Sequence, residues 1–414
     1  MRKGYKQTDV GIIPEDWEIK PLSDLTKEVG DGIHATPEYV NSSDYFFING
    51  NNLLNGQIVI TENTMCVGNT EYRRLRKSLD NSTILMSING TIGNLAFYKD
   101  EKVVLGKSAA YISANQKACK EFLYYTLQSN ATKTFYENEL TGTTIRNLSL
   151  GSIRNTPIPL PPTLAEQEAI AEALSDVDAL IEAMEQLLTK KRQVKQGAMS
   201  ELLTGKMRLS GFSGEWEPVS LIDLLTQNAT YGIVKAGEFQ DIGVPMVRGG
   251  DIKGGKISTS DIPFVTEEKS NEFSRTILRV NDVVIALVGY PGEAAKVTPE
   301  LEGANISRAV GLLRLNNRIY TDYLVCYLNS PIGRSMVLAP SAGSAQQVVN
   351  LAALNKLKFK IPDMKEQTAI AEILSDMDAE ISALEEKLVK ARQVKAGMMS
   401  ELLTGKVRLV KNAS

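Results

Sequence analysis

The chain has 414 residues, of which 43% are hydrophobic and 23% charged, with a formal net charge of −3. That balance excludes a disordered or fibrous chain, and at about 150 residues per domain the length calls for two or three domains. The slight acidic excess excludes nonspecific coating of nucleic acid, so any phosphate contact must come from local basic clusters.

The first seventeen or so residues are polar, include Pro14, and lack the apolar stretch of a signal peptide. No uncharged apolar run of about 18 residues follows anywhere, so a membrane span is not expected and a cytoplasmic location is. Residues 1–160 form a first globular segment in which 46–49, 83–87 and 103–105 read as strands and 121–128 as a helix. Cys66, Cys119 and Cys326 are too scattered for a disulfide framework or a CxxC metal site and read as buried or inert thiols.

Residues 161–209 read as one long helix. Thr163 with Glu166 makes a reciprocal N-terminal cap just after Pro162. Ile170, Leu174, Val177, Ile181, Met184 and Leu188 then recur at alternating four and three spacings, a coiled-coil seam. Thr204-Gly205 ends the helix, and at about 1.5 Å per residue forty residues span about 60 Å. In a second globular segment, 210–360, strands are expected at 245–248, 283–288 and 310–315 and a helix at 322–329. Residues 361–414 repeat the long helix, from Asp363 and Glu366 through Ile370, Leu374, Met377, Ile381, Leu384 and Leu388 to Thr404-Gly405.

The chain is therefore an internal repeat of nearly 200 residues. Residues 166–209 and 366–409 are identical at 31 of 44 positions without a gap. Upstream the likeness thins to punctuation: Trp17 with Trp216, Gly50 with Gly249, Gly90 with Gly289, Gly93 with Gly292 and Ser108 with Ser307, all at an offset of 199. The expected fold class is α+β, two globular domains separated by a pair of long antiparallel coiled-coil helices with pseudo-two-fold symmetry. Equivalent helix faces suit two copies of one partner, and divergent end domains suit an asymmetric target. DNA fits because half-sites read from one face lie about 34 to 36 Å apart. A protein-binding coiled-coil scaffold with no DNA role fits the same geometry.

The run SELLTGK at 200–206 and 400–406, the proline followed by Glu-Gln at 162–167 and 362–367, and GIIPEDWE at 11–18 resemble the specificity subunits of type I restriction-modification systems. The resemblance covers essentially the whole chain in both copies. It implies two target-recognition domains that each read half of an interrupted DNA sequence. It also implies helical regions that dock two adenine-methylating modification subunits, which ATP-driven restriction subunits join. On that reading the chain is non-catalytic and needs no cofactor.

Candidate DNA contacts come from chemistry and from equivalence. Arg73, Arg74, Arg76 and Lys77, beside Tyr72, form the densest basic cluster; it suits phosphates or guanine edges, and equally a solvated charged face. Thr143, Thr144 and Arg146, matched by Gln346 and Gln347, make polar loops that read as adenine contacts or as ordinary turns. Asn49 and Asn51 align with Arg248 and Gly250, Lys107 with Arg308, and Lys253 lies just beyond. Differences at equivalent positions are what readers of two different half-sites require.

Enzyme readings are set aside. His34 is the single histidine and reads as a loop residue, leaving no histidine constellation for metal or base catalysis. Residues 250–257 imitate a phosphate-binding loop but place Ile257 where a Ser or Thr should hold magnesium. Gly30, Gly32 and Ala35 imitate a dinucleotide fingerprint, but Pro37 follows where its helix should open.

Overall fold

A computed structural model of the chain describes residues 4–141, 146–341 and 348–409. Two compact units result, one of residues 1–184 with 387–414 and one of residues 185–386. Compactness thus divides the chain inside the two long helices, because each unit keeps half of each helix in its own core.

In the first unit an antiparallel sheet runs in the order Leu95–Phe97, Thr83–Ser87, Ala109–Ala114, Thr26–Asp31. Its two central strands are buried at every position, so they carry continuous apolar or small residues with no alternation. A second sheet has the order Val103–Leu105, Phe46–Ile48, Cys66–Val67, Tyr39–Val40, and its first two strands are parallel. The helices are α1 (Asn69–Leu75), α2 (Lys120–Leu127), α3 (Asn130–Glu139) and α4 (Leu150–Arg154). Of these, α2 supplies Phe122, Leu123, Tyr124, Tyr125 and Leu127 to the core, whereas α1 buries nothing. Pro157–Leu160 then pairs with Glu18–Pro21 and leads into α5 (Leu164–Leu202).

The second unit follows the same plan, as the repeat requires. Its four-stranded sheet runs Thr230–Tyr231, Val310–Leu313, Val283–Ala286, Ala294–Lys296. The companion sheet runs Phe264–Val265, Val244–Val247, Asn305–Ile306, with the last two parallel. Helices α6 (Glu267–Glu272), α7 (Thr321–Asn329), α8 (Pro331–Leu338) and α9 (Leu351–Asn355) precede Lys358–Ile361, which pairs with Glu217–Ser220 and leads into α10 (Met364–Leu402). Among the described residues no helix is long and apolar enough to cross a membrane.

Each unit contains an antiparallel helical pair. In the first, Ile170, Ala171 and Leu174 of α5 share a core with Leu402 and Leu403, and Lys395 pairs with Asp178 at 2.6 Å. In the second, Met199, Leu202 and Leu203 share a core with Ile370, Ala371 and Leu374. There Lys191 pairs with Glu380 at 2.5 Å, Arg192 with Glu385 at 2.6 Å, and Lys195 with Asp378. Residues 191–192 meet 380–385 while residues 199–203 pack with 370–374, which defines the antiparallel sense. Seam residues Ile170, Leu174 and Leu188 are buried, while Leu180, Leu187 and Val194 face outward.

The expected caps form only in part. Thr163 Oγ1 accepts from the Glu166 amide at 3.3 Å and Asp363 Oδ1 from the Glu366 amide at 3.0 Å. The two glutamates do not reach back to complete reciprocal caps, because both are 1% exposed and held from elsewhere. Glu366 receives both arms of Arg208 at 2.7 Å and the Trp216 indole N–H at 3.3 Å. Glu166 receives Arg408, whose Nη2 lies 2.7 Å away. Each arginine also lies over a tryptophan ring, Arg208 on Trp216 at 5.7 Å and Arg408 on Trp17 at 5.8 Å. The neighbouring glutamines hold the other side, Gln167 accepting from the Cys119 amide and Gln367 from the Tyr320 amide, both at 2.8 Å. The repeated Glu-Gln dipeptide is thus a buried fastener between helical pair and globular core in each unit.

Candidate nucleic-acid interface

Three turns of the first unit converge because its parallel strand pair and its two central antiparallel strands end side by side. The Gly50 amide donates to Ser108 Oγ at 2.9 Å, and that hydroxyl donates to Asn49 Oδ1 at 2.9 Å. The amides of Gly106 and Ile88 donate to the carbonyls of Ile48 and Ser108. Asn89 Nδ2 reaches the Lys107 carbonyl at 3.5 Å, and the Gly90 amide reaches the Arg146 carbonyl at 3.4 Å. Asn49, Asn51, Asn89, Lys107 and Arg146 are thereby gathered onto one surface. Asn51, Lys107 and Arg146 are exposed, and their side chains have no hydrogen-bond or ion-pair partner among the described residues.

The glycines that mark the repeat are explained by this packing. A Cβ on Gly50 would stand 2.7 Å from Ser87 Cβ, and one on Gly249 would stand 2.3 Å from the Val288 carbonyl oxygen. Gly90, Gly93, Gly289 and Gly292 all turn the chain at φ between 73° and 93°, where a side chain is strained.

In the second unit the frame recurs with other side chains. The Ser307 amide donates to the Val247 carbonyl, Leu287 to Ala309, and Val349 to Leu287. Arg308 is exposed and lines a surface cavity of about 590 Å³ with Tyr231, Val288, Val349 and Asn350. Lys253 stands 5.5 Å from the Tyr290 ring. Arg248 starts the same one-turn helix as its sequence equivalent Asn49, but its side chain is held. Asp251 grips its Nε and Nη2 at 2.9 to 3.3 Å, and the Asp261 carbonyl accepts from Nη2 at 2.6 Å. The Asp251 bond raises the Arg248 pKa further, and the guanidinium has little donor capacity left for a ligand.

The basic cluster forms a separate surface on α1. Glu71 holds Arg74 through two bonds, at 3.1 and 2.5 Å, while Arg73 is exposed without a partner among the described residues. Arg76 lies 5.7 Å from the Tyr72 ring centre and Lys77 lies 5.9 Å from that of Tyr111. Burial, reinforced by the hydrogen bond to Glu28, pushes the Tyr111 hydroxyl up to about 12, so this ring is neutral. Thr143, Thr144, Gln346 and Gln347 lie outside the described residues.

Residue-by-residue reading passed over Asn89, Tyr231 and Tyr290. The signal for two of them is in the repeat itself: Asn89 precedes Gly90 and Tyr290 follows Gly289, inside a turn whose glycines recur and whose other residues differ. His34 is exposed, with Nε2 2.8 Å from Asp31. Residues 252–257 form a hairpin closed by Gly254 and Gly255, and no helix follows as a phosphate-binding loop would need. Among the described residues no three His, Cys, Asp or Glu side chains converge as metal ligands. The two surfaces offer amide donors and acceptors, guanidinium and ammonium groups, which is the chemistry of hydrogen bonding and phosphate pairing.

Comparison with known proteins bears on both repeats. A family described as the type I restriction modification DNA specificity domain matches residues 14–191 and again 213–391. The MjaVIII specificity subunit of a type I restriction enzyme from Methanocaldococcus jannaschii is 25% identical, covering 99% of this chain and 97% of the relative. The EcoKI specificity subunit from Escherichia coli K12 is 24% identical over 92% of this chain and 86% of its own. Among solved structures, the S subunit of a type I restriction-modification system from M. genitalium superposes with a TM-score of 0.58 at 18% identity, covering 93% and 96% of the two chains. A chain from a structure of type I R-M complex assembly and conformational transition gives 0.57 at 16% identity, covering 95% and 99%.

Proposed function

The chain belongs to the type I restriction modification DNA specificity family, and from that premise we propose that each of its two repeated domains reads one half of a bipartite double-stranded DNA sequence. The reading rests on one observation above all. Two copies of the same glycine-shaped loop frame carry different side chains, Asn49, Asn51, Lys107 and Arg146 in one and Arg308, Lys253 and Tyr290 in the other. Asparagine can pair an adenine edge and arginine a guanine edge in the major groove. A conserved frame with divergent donors supplies two readers of unlike sequence.

The helical pairs would dock two adenine-methylating modification subunits, and restriction subunits would join through these. The chain itself contributes recognition and no catalytic group, consistent with the hydrogen-bonding chemistry of its loop surfaces.

The test is a domain exchange in the assembled complex. Replacing residues 1–160 by the corresponding segment of a relative, coexpressing the modification subunit and mapping methylated adenines should change one half of the motif and leave the other. An unchanged motif overturns the proposal. Absence of any salt-dependent DNA binding by the assembled complex would instead identify a purely protein-binding scaffold.

A further inference from the structure

The repeat is uneven in charge at one place. In the first unit the strand Cys66–Val67 leads into α1, which carries Arg73 and Arg74, with Arg76 and Lys77 immediately after. In the second unit the matching strand Phe264–Val265 leads into α6, which carries Glu267, Glu268 and Glu272 against Lys269, with Arg275 in the turn after it. The one lysine of α6 is paired with Glu272 at 2.6 Å. The same slot of the fold is thus basic in one copy and acidic in the other.

The cations around α1 are held in a particular way. Glu71 neutralises Arg74, and Glu38 stands near that pair. Arg76 rests on Tyr72, Tyr72 stacks on Tyr45 with ring centres 4.4 Å apart, and Lys102 approaches Tyr45 at 5.6 Å. Arg73, Arg76 and Lys102 are exposed, and α1 has no buried residue, so its shape serves no core. A guanidinium reads a guanine edge through both arms of its fork. The one fork fixed here, that of Arg74, is already occupied by a carboxylate. Arg76, Lys77 and Lys102 lean on ring faces, which supports charge without dictating a hydrogen-bond direction, and Arg73 is exposed with neither ring nor carboxylate partner among the described residues. That suits phosphate oxygens, which carry charge and no sequence information.

We propose that α1 and the adjoining Lys77 and Lys102 form a sequence-independent anchor for the DNA phosphate backbone, present in the first domain only. The proposal rests on the DNA-reading function above and adds its asymmetry: the first domain supplies more of the salt-sensitive affinity, the second more of its binding through loop contacts.

The test uses the full chain assembled with its modification subunit and a duplex containing the methylated motif. In Arg73→Gln/Arg76→Gln the slope of log affinity against log salt should fall by about two, with binding about 60-fold weaker in 0.1 M salt and the methylated sequence unchanged. Glu268→Gln/Glu272→Gln in α6 should leave the slope alone, and thermal melts of both variants should match the parent, since all four side chains are exposed. An unchanged slope in the arginine variant overturns the anchor while leaving the DNA-reading function standing. A changed base in the methylated motif overturns it in favour of base reading, and loss of the modification subunit on purification overturns it in favour of a protein contact. If the parent complex shows no salt-dependent DNA binding, the underlying function fails as well.

Discussion

Arg308 and Arg248 occupy neighbouring turns of the same loop frame, yet their surroundings assign them different weights. Arg308 stands beside a cavity with no side-chain partner among the described residues, whereas Asp251 and Asp261 hold Arg248. Arg308→Ala should therefore cost about 1–3 kcal/mol of affinity and relax discrimination at one position of one half-site. Methylation mapping checks this; relaxation in both half-sites would contradict it. Arg248→Ala should act mainly on the turn that it ties to Asp251. A buried pair gives a larger effect on folding. Arg208→Ala leaves the Glu366 carboxylate, 1% exposed, without its counter-charge, and should destabilise the second unit. Calorimetry should show that unit melting early. Chemical reactivity follows burial in the same way. Burial pushes the Cys326 thiol up to about 11, so near pH 8 its thiolate is about 100-fold scarcer than in an unfolded chain. Alkylation of Cys326 should accelerate by about that factor when the protein is denatured.

At the scale of the element, the glycines of the long helices divide by conformation. Gly397 lies inside α10 with open space where a Cβ would go, so Gly397→Ala should stabilise by about 0.5–1 kcal/mol. Gly405 has φ 65°, and a Cβ there would meet Pro14 at 2.5 Å, so Gly405→Ala should destabilise. Paired thermal melts of these two variants should move in opposite directions. The long helices were legible because a 3.5-residue apolar period sustained over six positions has one structural meaning. Thr83–Ser87 was legible because Ile84, Leu85 and Met86 are apolar without a break. Ala109–Ala114 was not, since alanine and serine favour no strand and only pairing with neighbours on both sides makes it one. Nor was α1, a short charged helix held by the stack of Tyr72 on Tyr45, a contact across 27 residues that no local pattern encodes. For the loop surface, the recurring glycines located the frame. The capture of Arg248 by Asp251 stayed hidden because it depends on a one-turn helix at Gly249–Asp251 that propensity does not signal.

At the scale of the molecule, the first unit is assembled from both ends of the chain. The Tyr5 hydroxyl donates to the Gly405 carbonyl at 3.1 Å, and Arg408 bridges Asp16 and Glu166. Deleting residues 406–414 should lower the melting of that unit by about 10 °C and leave the second unit unmoved, since a lost buried pair costs about 3 kcal/mol. A single transition shifted as a whole would show that the units do not melt independently. The same feature inverts the usual order of maturation during synthesis, in which the N-terminal domain finishes first. Everything the second unit needs, residues 185–386, is synthesised before Leu402, Leu403 and Arg408 are added. The residues made earliest must wait for the last ones, so a released chain truncated after residue 386 should resist protease in its later half and be cut in its earlier one.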